Sequence, residues 1–407
     1  MAIDFTDDSP GVTDAAGFAA AGFACDIREK KSDRLDLALV RSLQPCTAAG
    51  VFTRNDVQAA PVSVCKEILA TGAPVFGFVA NSGNANACTG PQGLADARAM
   101  VQRASSAVGA PANSLFVCST GRIGRALPLP RILTGIDAAA AALAATSAQG
   151  LRAANAILTS DTRPKTCTAR FTWQGRTATV AACAKGAGMI QPDMATMLAF
   201  LCTDIAAPAA LLHETLQAVN RRTFNAITVD GDMSTNDTVL LLANGASGLD
   251  LASAPAAARA EFSAAVQQVC ECLAQKIVGD GEKITKVVEV LVRNAPSDQT
   301  AERVARAIGN SLLVKSSWFG EDPNWGRLLD AAGAARIGLI EEKVDLFYDD
   351  TPVLAAGAAQ DKNLAQWKII VRQPRFRITL DLHLGAGSFR LLASDLTEGY
   401  VNYNKSE

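Results

Sequence analysis

Residues 185–200 read KGAGMIQPDMATMLAF, and they place Thr196 between a glycine-rich turn and an apolar run. A threonine hydroxyl is a weak nucleophile unless a base takes its proton. If Thr196 were the first residue of a chain, its own α-amino group, with an unperturbed pKa of about 8, could act as that base. The bond between Ala195 and Thr196 would then have to break. A small residue before the hydroxyl and a glycine-rich approach suit attack of the Thr196 oxygen on the Ala195 carbonyl, an N-to-O acyl shift and hydrolysis. The same residue also reads as the start of a strand, because threonine has good β propensity. Local chemistry leaves both readings open.

Other chemistries have little material. The chain contains two histidines, His213 and His383, neither in a motif, so a histidine-dependent triad is not supported. HETLQ at 213–217 lacks the second imidazole of a zinc-protease helix, because Gln217 stands where the motif needs His. DGDMSTND at 230–237 resembles the start of a calcium loop, but Thr235 occupies the glycine position and Leu241 the bidentate glutamate position. Cys270 and Cys272 do not share a helix face. No metal site is expected. The glycines at 186 and 188 fit neither a P-loop nor a dinucleotide fingerprint, and a G-x-S-x-G elbow is absent.

The elements that must position these residues follow from length and pattern. At 407 residues the chain exceeds the usual size of one core, so two domains are expected. Hydrophobic residues make up 49% of it, enough for large buried cores, and a net charge of −2 with interspersed signs excludes a nucleic-acid surface. No apolar run reaches the roughly 18 residues of a membrane span. The start MAIDFTDDSPG is acidic where a signal peptide is basic and then apolar, which points to the cytoplasm. Ten scattered cysteines without a CxxC pair read as reduced, mostly buried thiols.

Strand-like runs at 50–53, 74–80 and 114–120 alternate with helical stretches near 91–109 and 131–148. A hairpin is expected over 168–183, turning at Gln174 and Gly175. A strand opens at Thr196, helices lie near 207–222 and 255–277, and AITVD (226–230) and TVLLLAN (238–244) read as strands. After Gly281 the texture changes to a strand at 285–294, a Ser-Asp-capped helix near 298–310 and then mostly short strands. The expected domains are therefore 1–284 and a smaller α+β domain at 285–407.

KGAGMIQPDMATML closely resembles the self-cleavage motif of the ornithine acetyltransferase family, also called glutamate N-acetyltransferases. AGVFTRNDVQAAPV (49–62), NSGNANACTG (81–90), STGRIG (119–124), ILTSDTRPK (157–165), ITVDGDMSTNDTVLLLANG (227–245) and FGEDPNWGR (319–327) match in family order, so the resemblance spans nearly the whole chain. It implies self-cleavage into an α chain (1–195) and a β chain (196–407) that stay together as α2β2 or larger. It also implies a layered α/β/β/α sandwich like that of N-terminal-nucleophile aminopeptidase relatives. The implied reaction is ping-pong acetyl transfer from N-acetylornithine to glutamate through acetyl-Thr196, in arginine biosynthesis. No cofactor is implied, although some members also take acetyl groups from acetyl-CoA.

Residue by residue, the resemblance makes Thr120 and Gly121 the oxyanion-hole pair, and Thr159, Lys185, Thr196, Glu282 and Asn404 substrate contacts. Two departures lie on the substrate side. Lys283 stands where the family reads glycine, and the family's terminal Thr or Ser has no counterpart before Glu407. They keep alternatives open: the same scaffold acting on another amino acid or acyl group, or an amidohydrolase or aminopeptidase in which water takes the acyl group.

Overall fold

The computed structural model describes residues 3–191 and 197–405. Where a single division at 284/285 is expected, two compact units interleave along the chain. One comprises Met1–Gly186, Pro192–Asn225 and Met233–Ile277, and the other Ala187–Gln191, Ala226–Asp232 and Val278–Glu407.

The first unit carries strands β1 (Asp4–Asp7), β2 (Phe18–Phe23), β3 (Leu37–Phe52), β4 (Val75–Asn84), β5 (Phe116–Arg122), β6 (Lys165–Trp173), β7 (Arg176–Lys185), β8 (Leu198–Thr203) and β9 (Thr238–Ala243). Its helices are α1 (Ala60–Ala70), α2 (Gly90–Ala107), α3 (Leu129–Ala141), α4 (Ser147–Ala156), α5 (Ala209–Arg222) and α6 (Ala256–Gly279). The 16-residue β3 belongs to two sheets. Its first half pairs with β2 and β4, and β4 pairs in parallel with β5. Its last six residues pair with β9, and the second sheet continues through β8, β7, β6 and β1.

The sheets face each other. Phe78 of β4 stacks on Phe200 of β8 with ring centroids 3.9 Å apart, inside a core that also holds Ala181, Cys183, Cys202, Leu240 and Leu242. Alternate residues of these strands, among them Ala182, Leu201 and Leu241, point to the opposite face. There α5 packs along β3, and the Cys167 thiol of β6 donates to the Val269 carbonyl of α6. Helices α1, α2 and α3 pack on the first sheet. The order of layers is thus α/β/β/α. Gln174 and Gly175 turn the β6–β7 hairpin with φ of 52° and 70°, the left-handed pair that matches strand twist.

The second unit contains β10 (Val287–Ala295), β11 (Asp345–Tyr348), β12 (Thr351–Ala355), β13 (Ala358–Ala359), β14 (Arg375–Asp381) and β15 (Gly387–Ser394) in the order β13-β12-β11-β14-β10-β15. Helices α7 (Asp298–Gly309), α8 (Leu312–Phe319), α9 (Trp325–Ala334), α10 (Leu364–Ile370) and α11 (Glu398–Tyr403) accompany them. Val288, Val290 and Val292 of β10 share a core with Val304 and Ile308 of α7 and with Trp318 and Trp367. Ser297 caps α7 by accepting from the Thr300 N–H.

Three expectations change. The helix expected over 131–148 ends at Ala141, and a second helix, α4, begins at Ser147 where Thr146 accepts from the Gln149 N–H. AITVD forms no strand, and Ile227 makes a single bridge to Leu392. The region after residue 310 holds α8 and α9 as well as strands. Among the described residues no helix is long and apolar enough to cross a membrane. All ten cysteines are free thiols, eight of them buried.

Candidate active site

Thr196 and Ala195, the expected nucleophile and cleavage position, lie outside the described residues. Their chain neighbours are placed. Leu198, at the start of β8, pairs with Lys185 at the end of β7.

Thr120 and Gly121 sit at the C-terminal end of β5, opposite Ser82 and Gly83 of β4. Gly121 has φ of 131°, and a Cβ there would stand 2.4 Å from the Gly83 carbonyl carbon, so only glycine fits. A set of buried amides fixes this end. Asn236 donates to the carbonyls of Ala85 (2.5 Å) and Ser119 (2.9 Å). The Ser119 hydroxyl donates to Asn81 Oδ1 (2.6 Å), and Asn81 Nδ2 to the Asn84 carbonyl (2.9 Å). Ladder irregularities at Asn84 release the strands from regular pairing just here. Thr120 is half-buried and Gly121 exposed, so a hydroxyl and a backbone N–H stand at a rigid, accessible edge. Such a pair can stabilise a developing oxyanion.

Thr159 and Lys185 meet at one carboxylate that sequence reading does not nominate. Asp161 is buried, accepts from the Thr159 N–H (3.0 Å), the Gly186 N–H (2.6 Å) and Lys165 Nζ (2.7 Å), and lies 3.8 Å from Lys185 Nζ. Burial by itself disfavours ionisation, but the charges of Lys185 and Lys165 outweigh it and hold the Asp161 carboxyl below the usual range. Lys185 is buried as well, so it is no exposed loop charge. Replacing Asp161 by Asn is expected to leave two buried ammonium groups without their shared anion and to cost about 3 kcal/mol or more. Because the folded-state pKa is depressed, this stabilisation is present above the unfolded carboxylate value of about 3.9 and is lost as pH falls through the folded value. Urea melts of both proteins from neutral to acid pH should therefore converge toward the acid end. A constant gap would contradict the ion-pair account.

In the second unit Glu282 and Asn404 come together, with Asn404 Nδ2 donating to Glu282 Oε2 at 3.0 Å. The Glu282 N–H donates to the Ala187 carbonyl (3.0 Å), and a Cβ on Gly188 would stand 2.4 Å from Glu282 Oε1, so the carboxylate needs that glycine. Lys283 has φ of 56°, the left-handed backbone expected where the family carries glycine. Its Nζ lies 5.5 Å from the Tyr403 ring centroid, and its carbonyl accepts from the Thr397 hydroxyl (2.7 Å), the residue that caps α11. The cation is directed at an aromatic face. Asp230 is a further residue without an assigned part. It accepts from the N–H groups of Met189, Ile190 and Asp232, and burial raises its pKa. Among the described residues no cluster of His, Cys, Asp and Glu could hold a metal ion, and His213 lies exposed on α5.

The first unit is thus a four-layer α/β/β/α sandwich. The chain belongs to the ArgJ family, whose pattern it matches over residues 19–406. It is 45% identical over 396 residues to the arginine biosynthesis bifunctional protein ArgJ of Symbiobacterium thermophilum, covering 97% of this chain and 98% of that one. It is 44% identical over 376 residues to the protein of the same name from Geobacter sulfurreducens, covering 92% and 95%. Among solved structures, the Mycobacterium tuberculosis ornithine acetyltransferase complexed with ornithine is 41% identical. That match spans 48% of this chain and all of the other, with a TM-score of 0.44.

Proposed function

We propose that the protein is an ornithine acetyltransferase acting as glutamate N-acetyltransferase in arginine biosynthesis. The observation that carries this is family membership across residues 19–406 with relatives of the same name at 45% and 44% identity over more than nine tenths of both chains. Self-cleavage between Ala195 and Thr196 frees the Thr196 amine, which takes the proton of its own hydroxyl. The hydroxyl oxygen attacks the acetyl carbonyl of N-acetylornithine, and ornithine leaves from the tetrahedral intermediate. Glutamate then attacks the acetyl ester and departs as N-acetylglutamate.

In this reading the Thr120 hydroxyl and the Gly121 N–H face the oxyanion, Lys185 and Thr159 bind an α-carboxylate or its neighbour, and Glu282 and Asn404 bind the amino-acid side chain. The rigid β5 end supports the first assignment, since an oxyanion hole works by being fixed before the reaction. The donor is an amide and the enzyme ester conserves its acyl group, so the reaction itself requires no cofactor. The two chains remain associated as α2β2 or larger in the cytoplasm. Mixing the protein with N-acetylornithine, with and without glutamate, tests the reading. Ornithine release should continue only with glutamate, and steady release into water alone would make the protein a hydrolase.

Lys283 does not favour a different substrate, because its charge sits on Tyr403. Lys283→Gly is expected to relieve a left-handed backbone costing about 1 kcal/mol and to change turnover of N-acetylornithine by less than about threefold, the scale of an exposed cation–π contact. Comparing kcat/KM for several N-acetyl amino acids checks this, and a selective loss for ornithine would place Lys283 in the substrate site.

A further inference from the structure

We infer that Asp230 is a positioning residue for self-cleavage: its carboxylate sets the backbone of the segment that leads into the Ala195–Thr196 bond. The inference rests on the proposed cleavage at that bond.

The observations all lie within the second unit. Asp230 Oδ2 accepts from the Met189 N–H at 2.6 Å and Oδ1 from the Ile190 N–H at 2.8 Å. Around this pair the Val229 N–H donates to the Ile190 carbonyl (2.7 Å) and the Gln191 N–H to the Asp232 carbonyl (2.8 Å). The Gln191 side-chain oxygen accepts from Asn310 Nδ2 and, at 3.4 Å, from the Thr228 hydroxyl. Residues 187–191 are therefore held at nearly every residue by the segment 226–232 and its neighbours, five residues or fewer before Pro192–Ala195.

Met189 shows what the carboxylate must do. Its φ is 57°, a left-handed backbone that an L side chain disfavours, and its side chain is 41% exposed, so apolar burial does not hold it there. Two charge-assisted hydrogen bonds to consecutive N–H groups are what fix the turn. A carboxylate does this because both its oxygens accept. The amide of Asn offers one acceptor oxygen and an NH2 that faces an N–H. With the turn released, the chain leading to the scissile bond samples many directions, and fewer of them bring hydroxyl and carbonyl together.

The test follows cleavage of newly made chains by pulse–chase in cell-free translation, separating full-length protein from fragments on denaturing gels. Wild type, Asp230→Asn, and Asp230→Asn combined with Met189→Gly are compared, with thermal melting against uncleaved Thr196→Ala as the check on folding. Asp230→Asn is expected to slow cleavage by about tenfold, the scale of one left-handed residue. Met189→Gly, which adopts that backbone freely, is expected to restore the rate several-fold.

Equal rates for wild type and Asp230→Asn would overturn the inference, and so would a slowed variant that glycine does not rescue. Should Asp230→Asn fail to accumulate as folded protein, Asn310→Ala loosens Gln191 in the same cradle and must slow cleavage several-fold. An unchanged rate there would also overturn it. A wild-type chain that never cleaves would instead remove the proposed self-cleavage itself, which keeps the two failures distinct.

Discussion

Replacement of Thr196 by alanine is expected to leave the 407-residue chain uncut and to abolish acetyl transfer. The two losses have one cause. In the proposed mechanism the same hydroxyl attacks the Ala195 carbonyl during maturation and the substrate carbonyl during turnover. Deleting a covalent nucleophile in an acyl-transfer enzyme costs on the order of 10⁶-fold in kcat, so the variant should be silent in any steady-state assay. Thr196→Ser separates the steps from simple unfolding, because it keeps a hydroxyl and should still cut and turn over at reduced rate. Denaturing mass spectrometry reads the outcome directly. A Thr196→Ala chain that is cut, or that transfers acetyl groups, would remove Thr196 from both roles.

Loss of the Thr120 hydroxyl should be the next largest effect. A fixed donor aimed at a developing negative charge is worth about 3 kcal/mol, so Thr120→Ala should lower kcat by about 100-fold while leaving KM within a few-fold. Folding should not confuse this result. The Thr120 backbone is set by its pairing with β4 and by the Asn236 and Asn81 amides around it. Gly121→Ala is the harsher change, since the new methyl would meet the Gly83 backbone and the φ of 131° excludes it. A Thr120→Ala enzyme with unaltered kcat and a raised KM would make Thr120 a ground-state contact.

How far the sequence reveals this molecule depends on whether a signal is local. The β6–β7 hairpin is legible because alternating residues flank a two-residue turn that ends in glycine, and the capping of α7 is legible from Ser297 and Asp298. The Ile-Thr-Val run at 227–229 misleads. Its β-branched residues favour extended backbone, yet Ile227 makes only one bridge, to Leu392 of the edge strand β15, and the Val229 N–H turns to the Ile190 carbonyl instead. Helix α4 follows an alanine-rich run and is marked off from α3 by the Thr146 cap.

The candidate site divides the same way. Thr120, Gly121, Thr159, Lys185, Glu282 and Asn404 are nominated by family motifs that sit in runs of sequence. Their partners are not. Asp161 looks like a surface turn residue in SDT, and only the fold shows it buried between two lysines. Asn236 and Asp230 stand in a motif that resembles a failed calcium loop, and their work, pinning the β5 end and the 189–190 backbone, depends on segments more than thirty residues away in sequence.

The central claim is that the acetyl group passes through Thr196. It is tested most directly by intact-mass analysis of the protein after brief exposure to N-acetylornithine without glutamate. The account predicts that the fragment beginning at Thr196 gains the mass of one acetyl group, located on Thr196 by peptide sequencing, and loses it when glutamate is added as N-acetylglutamate appears. A fragment that stays unmodified while acetyl transfer proceeds at full rate would contradict it.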